Sequence, residues 1–221
     1  MVAEQYRVVA TRLSLLGLER KSTVVVITSA VKGEGKTTTA MNLAYALARD
    51  LGKLTLLIDA DLKAPKVHDY VGIANENGLL DLLKRRDEPA SGVAQCTHRV
   101  DDSPLWVMPA GGGKTQVAEL MDIQKIARLL VDLRSRFEYI IIDAPPVLPL
   151  ADMNILAQMA DVLSVVIRVE RTSQHIVSKS LSMLRPTGQV SVILNGVAEN
   201  SLPSYYYPYE QTKQSVKMIG A

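Results

Sequence analysis

The chain has 221 residues, of which 48% are hydrophobic and 22% are charged. This composition is typical of a folded globular protein and excludes disordered, collagen-like and disulfide-scaffold classes. Lys and Arg total 25 against 23 for Asp and Glu, which gives a formal net charge of +2. A charge this small predicts no general binding to nucleic acid, so we expect no nucleic-acid partner.

Cysteine content and hydropathy limit the cellular setting. Cys96 is the single cysteine, which excludes an internal disulfide and fits a reducing cytoplasm. The longest purely apolar runs contain only a few residues, whereas a membrane-spanning helix needs about 18. We therefore expect contact with a membrane only at its surface, through a partner, or through a membrane portion of a longer protein.

Apolar, β-branched runs alternate with stretches of helical spacing along the chain. The predicted strands are 23–28, 54–58, 105–108, 139–142, 162–169 and 190–194, and the clearest predicted helices are 37–51, 123–136 and 175–184. Strands that are apolar on both faces and separated by helices indicate parallel pairing with cover on both sides. The pattern predicts an α/β fold with a doubly wound, mostly parallel sheet and helices on both faces.

The same pattern divides the chain into three parts. Residues 1–20 are predicted to form a helical arm, and residues 21–198 a single nucleotide-binding domain. Residues 199–221 are predicted to form a flexible, tyrosine-rich tail, because they show no core periodicity. Within the domain, residues 84–103 begin with charged residues and include a proline, so we expect a surface loop there.

A glycine-rich turn follows the first predicted strand and opens a helix, which is the context of a phosphate-binding loop. Gly33 and Gly35 let backbone amides approach phosphates, and the helix adds its positive dipole end. Ala30 stands where such loops usually have their first glycine, and an ordinary strand-to-helix turn is the alternative. We predict ATP and Mg²⁺ as cofactors. The predicted nucleotide contacts in the loop are Lys32, Gly33, Glu34, Gly35, Lys36, Thr37 and Thr38.

Carboxylates follow two other predicted strands. Asp59 and Asp61 come after LLI, and Asp143 comes after YIII. Ligands of open parallel sheets bind at the carboxyl ends of strands, so these acids share a site with the loop. One acid can hold Mg²⁺ while another takes the proton of an attacking hydroxyl. Taken alone, Asp59 and Asp61 also fit solvated turn residues or helix caps. The predicted catalytic residues are Lys36, Asp59, Asp61 and Asp143, and the predicted metal ligands are Thr37, Asp59 and Asp143.

Three segments together resemble the Walker-type motifs of bacterial tyrosine kinases, the cytoplasmic autokinases of capsule and exopolysaccharide assembly. They are SAVKGEGKTTTAMNLA, LLIDADLKAPKVHDYVG and YIIIDAPPVLPLADM. The resemblance implies a deviant-Walker P-loop NTPase fold and ATP-dependent tyrosine phosphorylation. It implies a membrane-embedded polysaccharide co-polymerase as activator, a cognate tyrosine phosphatase, and a cytoplasmic location at the inner face of the membrane. Asn195 stands where related ATPases place an amide against adenine, although a turn residue before Gly196 is an equal alternative.

The tail contains four tyrosines within five positions, Tyr205, Tyr206, Tyr207 and Tyr209. By composition alone they fit aromatic anchors that pack on a neighbouring surface. The resemblance instead implies that they are phosphoacceptors, modified chiefly between subunits, in the regulation of polysaccharide polymerisation or export.

The arm bears on self-association. Glu4 and Arg7 match the start of the family's E-x-x-R-x-x-R helix, which implies a homo-oligomeric ring, but Ala10 replaces the last arginine. The alternative for Glu4 and Arg7 is a surface ion pair on a helix.

Two other functions fit a P-loop domain. One is a positioning or partition ATPase, which uses nucleotide as a dimerisation switch, and the other is a nucleotide-binding regulator with little catalysis. The ATPase class carries a signature lysine directly after the first glycine position, which is Val31 here, with Lys32 displaced by one. This difference favours the kinase.

Overall fold

The computed structural model describes residues 2–16, 20–85, 89–112, 123–148 and 153–198. The strands are β1 (Thr23–Ser29), β2 (Thr55–Asp59), β3 (His98–Arg99), β4 (Leu105–Met108), β5 (Tyr139–Asp143), β6 (Val162–Arg168) and β7 (Gln189–Asn195). The helices are α1 (Val2–Leu16), α2 (Lys36–Tyr45), α3 (Val67–Val71), α4 (Leu79–Lys84), α5 (Ile123–Arg136), α6 (Met153–Met159) and α7 (Gln174–Met183). A π-helical turn, Ala46–Asp50, extends α2, and a 3₁₀ helix, Pro89–Gln95, precedes β3.

The described strands form one sheet in the order β3-β4-β2-β5-β1-β6-β7. Every neighbouring pair is parallel except β3 with β4 at one edge. The doubly wound, mostly parallel sheet predicted from the sequence is thereby confirmed. The register places Asp59 of β2 directly opposite Asp143 of β5, so two of the predicted site residues meet at the carboxyl edge of the sheet.

Both faces of the sheet are covered, which explains why the strands are apolar throughout rather than alternating. Val24 and Val26 belong to one core cluster, together with residues of α4, α5 and α6. Val25 and Ile27 belong to the other, together with residues of α1 and α2. Every residue of β1 is buried, as expected for a central strand between two helical layers.

The arm helix packs against the domain. Ala10 and Leu13 of α1 are buried in the same cluster as Leu43 and Leu47. Beyond the arm, the Arg20 guanidinium forms an ion pair with Asp161, which also accepts a hydrogen bond from the Val24 amide. Tertiary contacts therefore anchor both the arm and the chain that follows it.

The expectation of a surface loop over residues 84–103 is wrong for much of this range. It contains the 3₁₀ helix and β3, and both Val93 and Cys96 are buried in the core. The physical reason is that these two side chains fill space beside α4 and α5, a contact that local composition does not reveal. No helix within the described ranges has the length and apolar character to cross a bilayer.

Candidate functional site

The glycine-rich turn connects β1 to α2 at the carboxyl edge of the sheet. Gly33 and Gly35 have φ values of 88° and 94°, a region that L side chains rarely adopt. A Cβ on Gly35 would also overlap the Asn195 side chain, whereas one on Gly33 would meet no atom within 4 Å. Ala30, in the usual place of the first glycine, is buried without a positive φ.

The start of α2 is suited to bind an anion. Gly35 is its N-cap and supplies no side-chain hydrogen bond to the first amides of the helix, which therefore remain available to a phosphate. Lys36 and Thr37, the first two residues of α2, are buried, whereas Lys32 and Thr38 are exposed. The loop thus presents amides and one buried ammonium toward the strand ends that carry the acids.

Lys36 lies between two carboxylates. Its Nζ is 2.7 Å from Asp61 Oδ2 and 3.6 Å from Asp143 Oδ1. Burial by itself would lower the pKa of the ammonium, but Asp143 and Asp61 together raise it above the ordinary lysine value. Lys36 therefore keeps its positive charge, as contact with phosphate requires.

Asp143 is almost completely buried, and neither of its carboxylate oxygens has a hydrogen bond of ordinary geometry within the described chain. Burial raises the pKa of Asp143 to about 7, against the opposing effect of Lys36. A buried carboxylate without a well-formed hydrogen bond is uncommon in proteins. It indicates a site completed by a ligand.

The residues around Asp143 fit a magnesium ion. Within the described chain, no group of three or more His, Cys, Asp or Glu side chains is arranged to hold a metal by itself. Mg²⁺ usually takes only one or two carboxylates, with substrate phosphates and water filling the other positions. Asp143 and the Thr37 hydroxyl, which lies 3.5 Å from Lys36 Nζ, supply oxygen donors of that kind beside the phosphate-binding loop.

Asp59 organises the chain that follows β2. Its Oδ2 accepts hydrogen bonds from the amides of Lys66 and Val67, both at 2.9 Å, and its Oδ1 accepts one from Asp61 at 3.2 Å. Burial raises the pKa of Asp59, while these three amides act in the opposite direction. Asp59 is therefore a buried cap for the start of α3 rather than a solvated turn residue. Its role as a metal ligand stays a prediction.

Glu34 and Asn195 lie at the loop but form bonds within the protein. The Glu34 carboxylate accepts hydrogen bonds from Val31, Arg168 and Thr172, and Asn195 Nδ2 donates to the Glu34 carbonyl at 2.8 Å. Sequence reasoning missed Thr172 and the direction of the Glu34 side chain. No local sequence pattern predicts either, because Arg168 and Thr172 lie more than 130 residues from Glu34 along the chain.

One group of predicted residues lies apart from this site, and another falls outside the described residues. Glu4 and Arg7 form an exposed ion pair at 3.9 Å on α1, which matches the surface alternative, and Ala10 is fully buried. The predicted phosphoacceptors, Tyr205, Tyr206, Tyr207 and Tyr209, lie outside the described residues.

Comparisons with known proteins agree with this geometry. The AAA domain model AAA_31 matches residues 22–189. The chain is 33% identical over 208 residues to tyrosine-protein kinase YwqD of Bacillus subtilis (strain 168), covering 92% of this chain and 86% of YwqD. The kinase domain of VpsO superposes with a TM-score of 0.74 at 31% identity, covering 89% of this chain and 96% of that domain. The putative tyrosine-protein kinase EpsB of Ralstonia solanacearum is 31% identical over 206 residues, which are 93% of this chain but 26% of EpsB.

Proposed function

The chain belongs to the bacterial tyrosine kinase family and is a protein-tyrosine kinase with an AAA-type P-loop fold, and on that premise we propose how it acts and on what. The γ phosphate of ATP is transferred to tyrosines of the chain's own C-terminal cluster, Tyr205, Tyr206, Tyr207 and Tyr209. The observation that carries the proposal is the buried Lys36 between Asp61 and Asp143, directly behind the glycine loop.

Nucleotide binding uses the loop and Lys36. Amides from Lys32 to Thr38 surround the phosphates, and Lys36 acts as a point charge on the β and γ groups. The Asp61 carboxylate holds this ammonium at 2.7 Å. The positive charge of Lys36 is therefore positioned before the reaction, and it stabilises the negative charge that develops as the phosphoryl group is transferred.

Three residues are the proposed metal ligands, Thr37, Asp59 and Asp143. When bound, Mg²⁺ neutralises charge on the β and γ oxygens. The Asp143 carboxylate supports its role most directly, because neither oxygen has a hydrogen bond of ordinary geometry within the described chain. Asp59 already accepts hydrogen bonds from three backbone amides. It therefore has two proposed roles, to orient the 61–67 segment and to bind the metal.

Transfer to tyrosine needs a base, because the phenol has a pKa near 10. We assign this role to Asp61, the carboxylate nearest Lys36. The phenolic oxygen forms a bond to the γ phosphorus, and its proton passes to the Asp61 carboxylate. The bond from the γ phosphorus to the bridging oxygen breaks, and ADP leaves with that electron pair.

Membership of the family supports the proposed cellular role. The kinase regulates capsule or exopolysaccharide polymerisation or export at the inner face of the membrane, where a membrane-embedded co-polymerase activates it and a tyrosine phosphatase reverses the modification. The chain acts on a second copy of itself, as a homo-oligomer. Each phosphate adds about −1.5 to −2 charges, so several within five positions repel one another and release the tail from the site.

Incubation with Mg²⁺ and ATP, followed by intact-mass measurement and phosphotyrosine mapping, tests the proposal. We expect one or more phosphates on the cluster of the wild-type chain. We expect none in Lys36→Met, and none in a variant with all four clustered tyrosines changed to Phe. ATP turnover without phosphotyrosine, even with the activating partner present, would instead support the positioning or partition ATPase.

A further inference from the structure

Glu34 lies between the two glycines of the loop, yet the residue is only 2% exposed. Oε2 accepts a hydrogen bond from the Val31 amide at 2.8 Å. Oε1 accepts one from the Thr172 hydroxyl at 2.6 Å and another from the Arg168 amide at 3.2 Å. Three donors therefore satisfy this carboxylate, and all three belong to the protein.

These bonds connect separate parts of the fold. Val31 is in the loop itself, so its bond to Glu34 closes the loop across three residues. Arg168 is the last residue of β6, and Thr172 is in the turn that leads from β6 to α7. One side chain thus fastens the loop to the neighbouring strand end.

The main chain of Glu34 is held from another side. Asn195, the last residue of β7, donates from Nδ2 to the Glu34 carbonyl at 2.8 Å. The same amide fills the space that a Cβ on Gly35 would need. The glycines on either side of Glu34 allow a wide range of conformations, so the order of the loop depends on these external contacts.

We propose that Glu34 is a positioning residue of the nucleotide site. Its carboxylate does not touch the nucleotide, and it holds the loop ready for phosphates through Thr172 and the Arg168 amide. A loop held in its binding conformation loses less entropy when the ligand arrives. The inference rests on the proposed function only to the extent that the phosphates of ATP occupy this loop.

The hydrogen-bond chemistry identifies a discriminating substitution. The carboxylate accepts at both oxygens, whereas a glutamine amide accepts at one and donates at the other. In either orientation of Glu34→Gln the NH₂ group faces a backbone N–H, that of Val31 or that of Arg168. This variant therefore loses at least one of the three bonds while it keeps nearly the same shape and volume.

The experiment measures the Kd of Mg²⁺-ADP by calorimetry on the full chain, at a temperature where every variant is folded by circular dichroism. We expect Glu34→Gln to weaken binding about tenfold and Thr172→Val about threefold, as for loss of buried hydrogen bonds. Thr172→Ser keeps the hydroxyl and should stay within about twofold of wild type. Glu170→Gln makes the same charge change at an exposed position of the same turn and should leave Kd unchanged.

The double variant Glu34→Ala/Thr172→Val, compared with Glu34→Ala, separates a shared link from two separate effects. Glu34→Ala removes all three bonds of the carboxylate, so if the two residues act through one bond the double variant binds no more weakly than Glu34→Ala alone. A lowered Tm with an unchanged Kd in Glu34→Gln, or fully additive losses in the double variant, would overturn the inference.

The kinase readout is scored separately. A wild-type chain that binds Mg²⁺-ADP but forms no phosphotyrosine, even with the activating partner present, would refute the proposed function and leave the Kd comparison intact. A wild-type chain that labels its tail, beside a Glu34→Gln variant of normal affinity, would overturn the positioning role alone.

Discussion

At the scale of single residues, Asp143 is a site residue whose burial lowers the stability of the fold. It ends a central strand, it is almost completely buried, and its oxygens lack hydrogen bonds of ordinary geometry within the described chain. Burial of a carboxylate without hydrogen bonds is unfavourable, and this is the cause of the raised pKa. The nearby Lys36, 3.6 Å away, offsets only part of the cost. Binding of a ligand, rather than a contribution to stability, explains why a carboxylate is buried at this position.

This reasoning predicts the pH dependence of stability for Asp143→Asn. Because the pKa of Asp143 is about 7 in the folded protein and near 4 in an unfolded chain, only the folded state holds the proton between these values. The free energy of unfolding of the wild type therefore decreases as pH rises through that window. Asp143→Asn has no such pH dependence at this position. Its free energy of unfolding relative to the wild type should therefore increase between about pH 5 and pH 8, by on the order of 1 to 4 kcal/mol.

Urea denaturation of the nucleotide-free protein at both pH values measures this difference. Asp102→Asn, at an exposed position, is the matched control and should follow the wild type. Parallel pH profiles for Asp143→Asn and the wild type would contradict the prediction.

At the scale of elements, the long segments were predictable and the short ones were not. The strand runs and α5 match the structure within a residue or two, because their periodicity extends over enough residues to be read. The helices α3 and α4 have 5 and 6 residues, too few for a helical period. Contacts with more distant residues mark their starts instead. Asp59 accepts a hydrogen bond from the amide of Val67 at α3, and the amide of Leu79 donates to the Pro109 carbonyl at α4.

The 3₁₀ helix contributes a buried side chain, Val93, to the core. Val93 is 2% exposed and packs in the core, whereas Val131 on α5 is 72% exposed. Val93→Ala should lower the free energy of unfolding by about 2 kcal/mol, from lost burial and a residual cavity. Val131→Ala makes the same substitution at the surface and should be neutral or slightly stabilising, because alanine is the better helix former. Equal effects in chemical denaturation would contradict the burial of Val93 in the core.

At the scale of the whole molecule, the site exists only because distant segments converge at one edge of the sheet. The loop follows β1, the acids end β2 and β5, and the bonds that hold the loop come from the ends of β6 and β7. In the helical layer formed by α1 and α2, Ala10 is buried against the domain. An arginine at this position would have to leave the core, which gives a physical reason for its absence from the arm helix.

Transfer between molecules is testable by complementation. Lys36→Met keeps the tail tyrosines but lacks the phosphate contact, and the variant with the four tyrosines changed to Phe keeps the site but lacks acceptors. If transfer occurs between copies, mixing the two with Mg²⁺ and ATP should label Lys36→Met, and the initial rate should increase with the concentration of the other variant. The two chains are separated by mass. Labelled wild type beside an unlabelled mixture would show transfer within one chain.

The sequence by itself determined the layered α/β fold, the phosphate-binding loop and the acids at two strand ends. Each of these is encoded within a short segment, either in its periodicity or in the residues that follow a strand. Only the tertiary structure decided that Lys36 lies against Asp61, that Asp59 caps α3, and that Glu34 turns from the loop to Thr172. These contacts join residues from 7 to 138 positions apart. They depend on strand order and register, which no local pattern specifies.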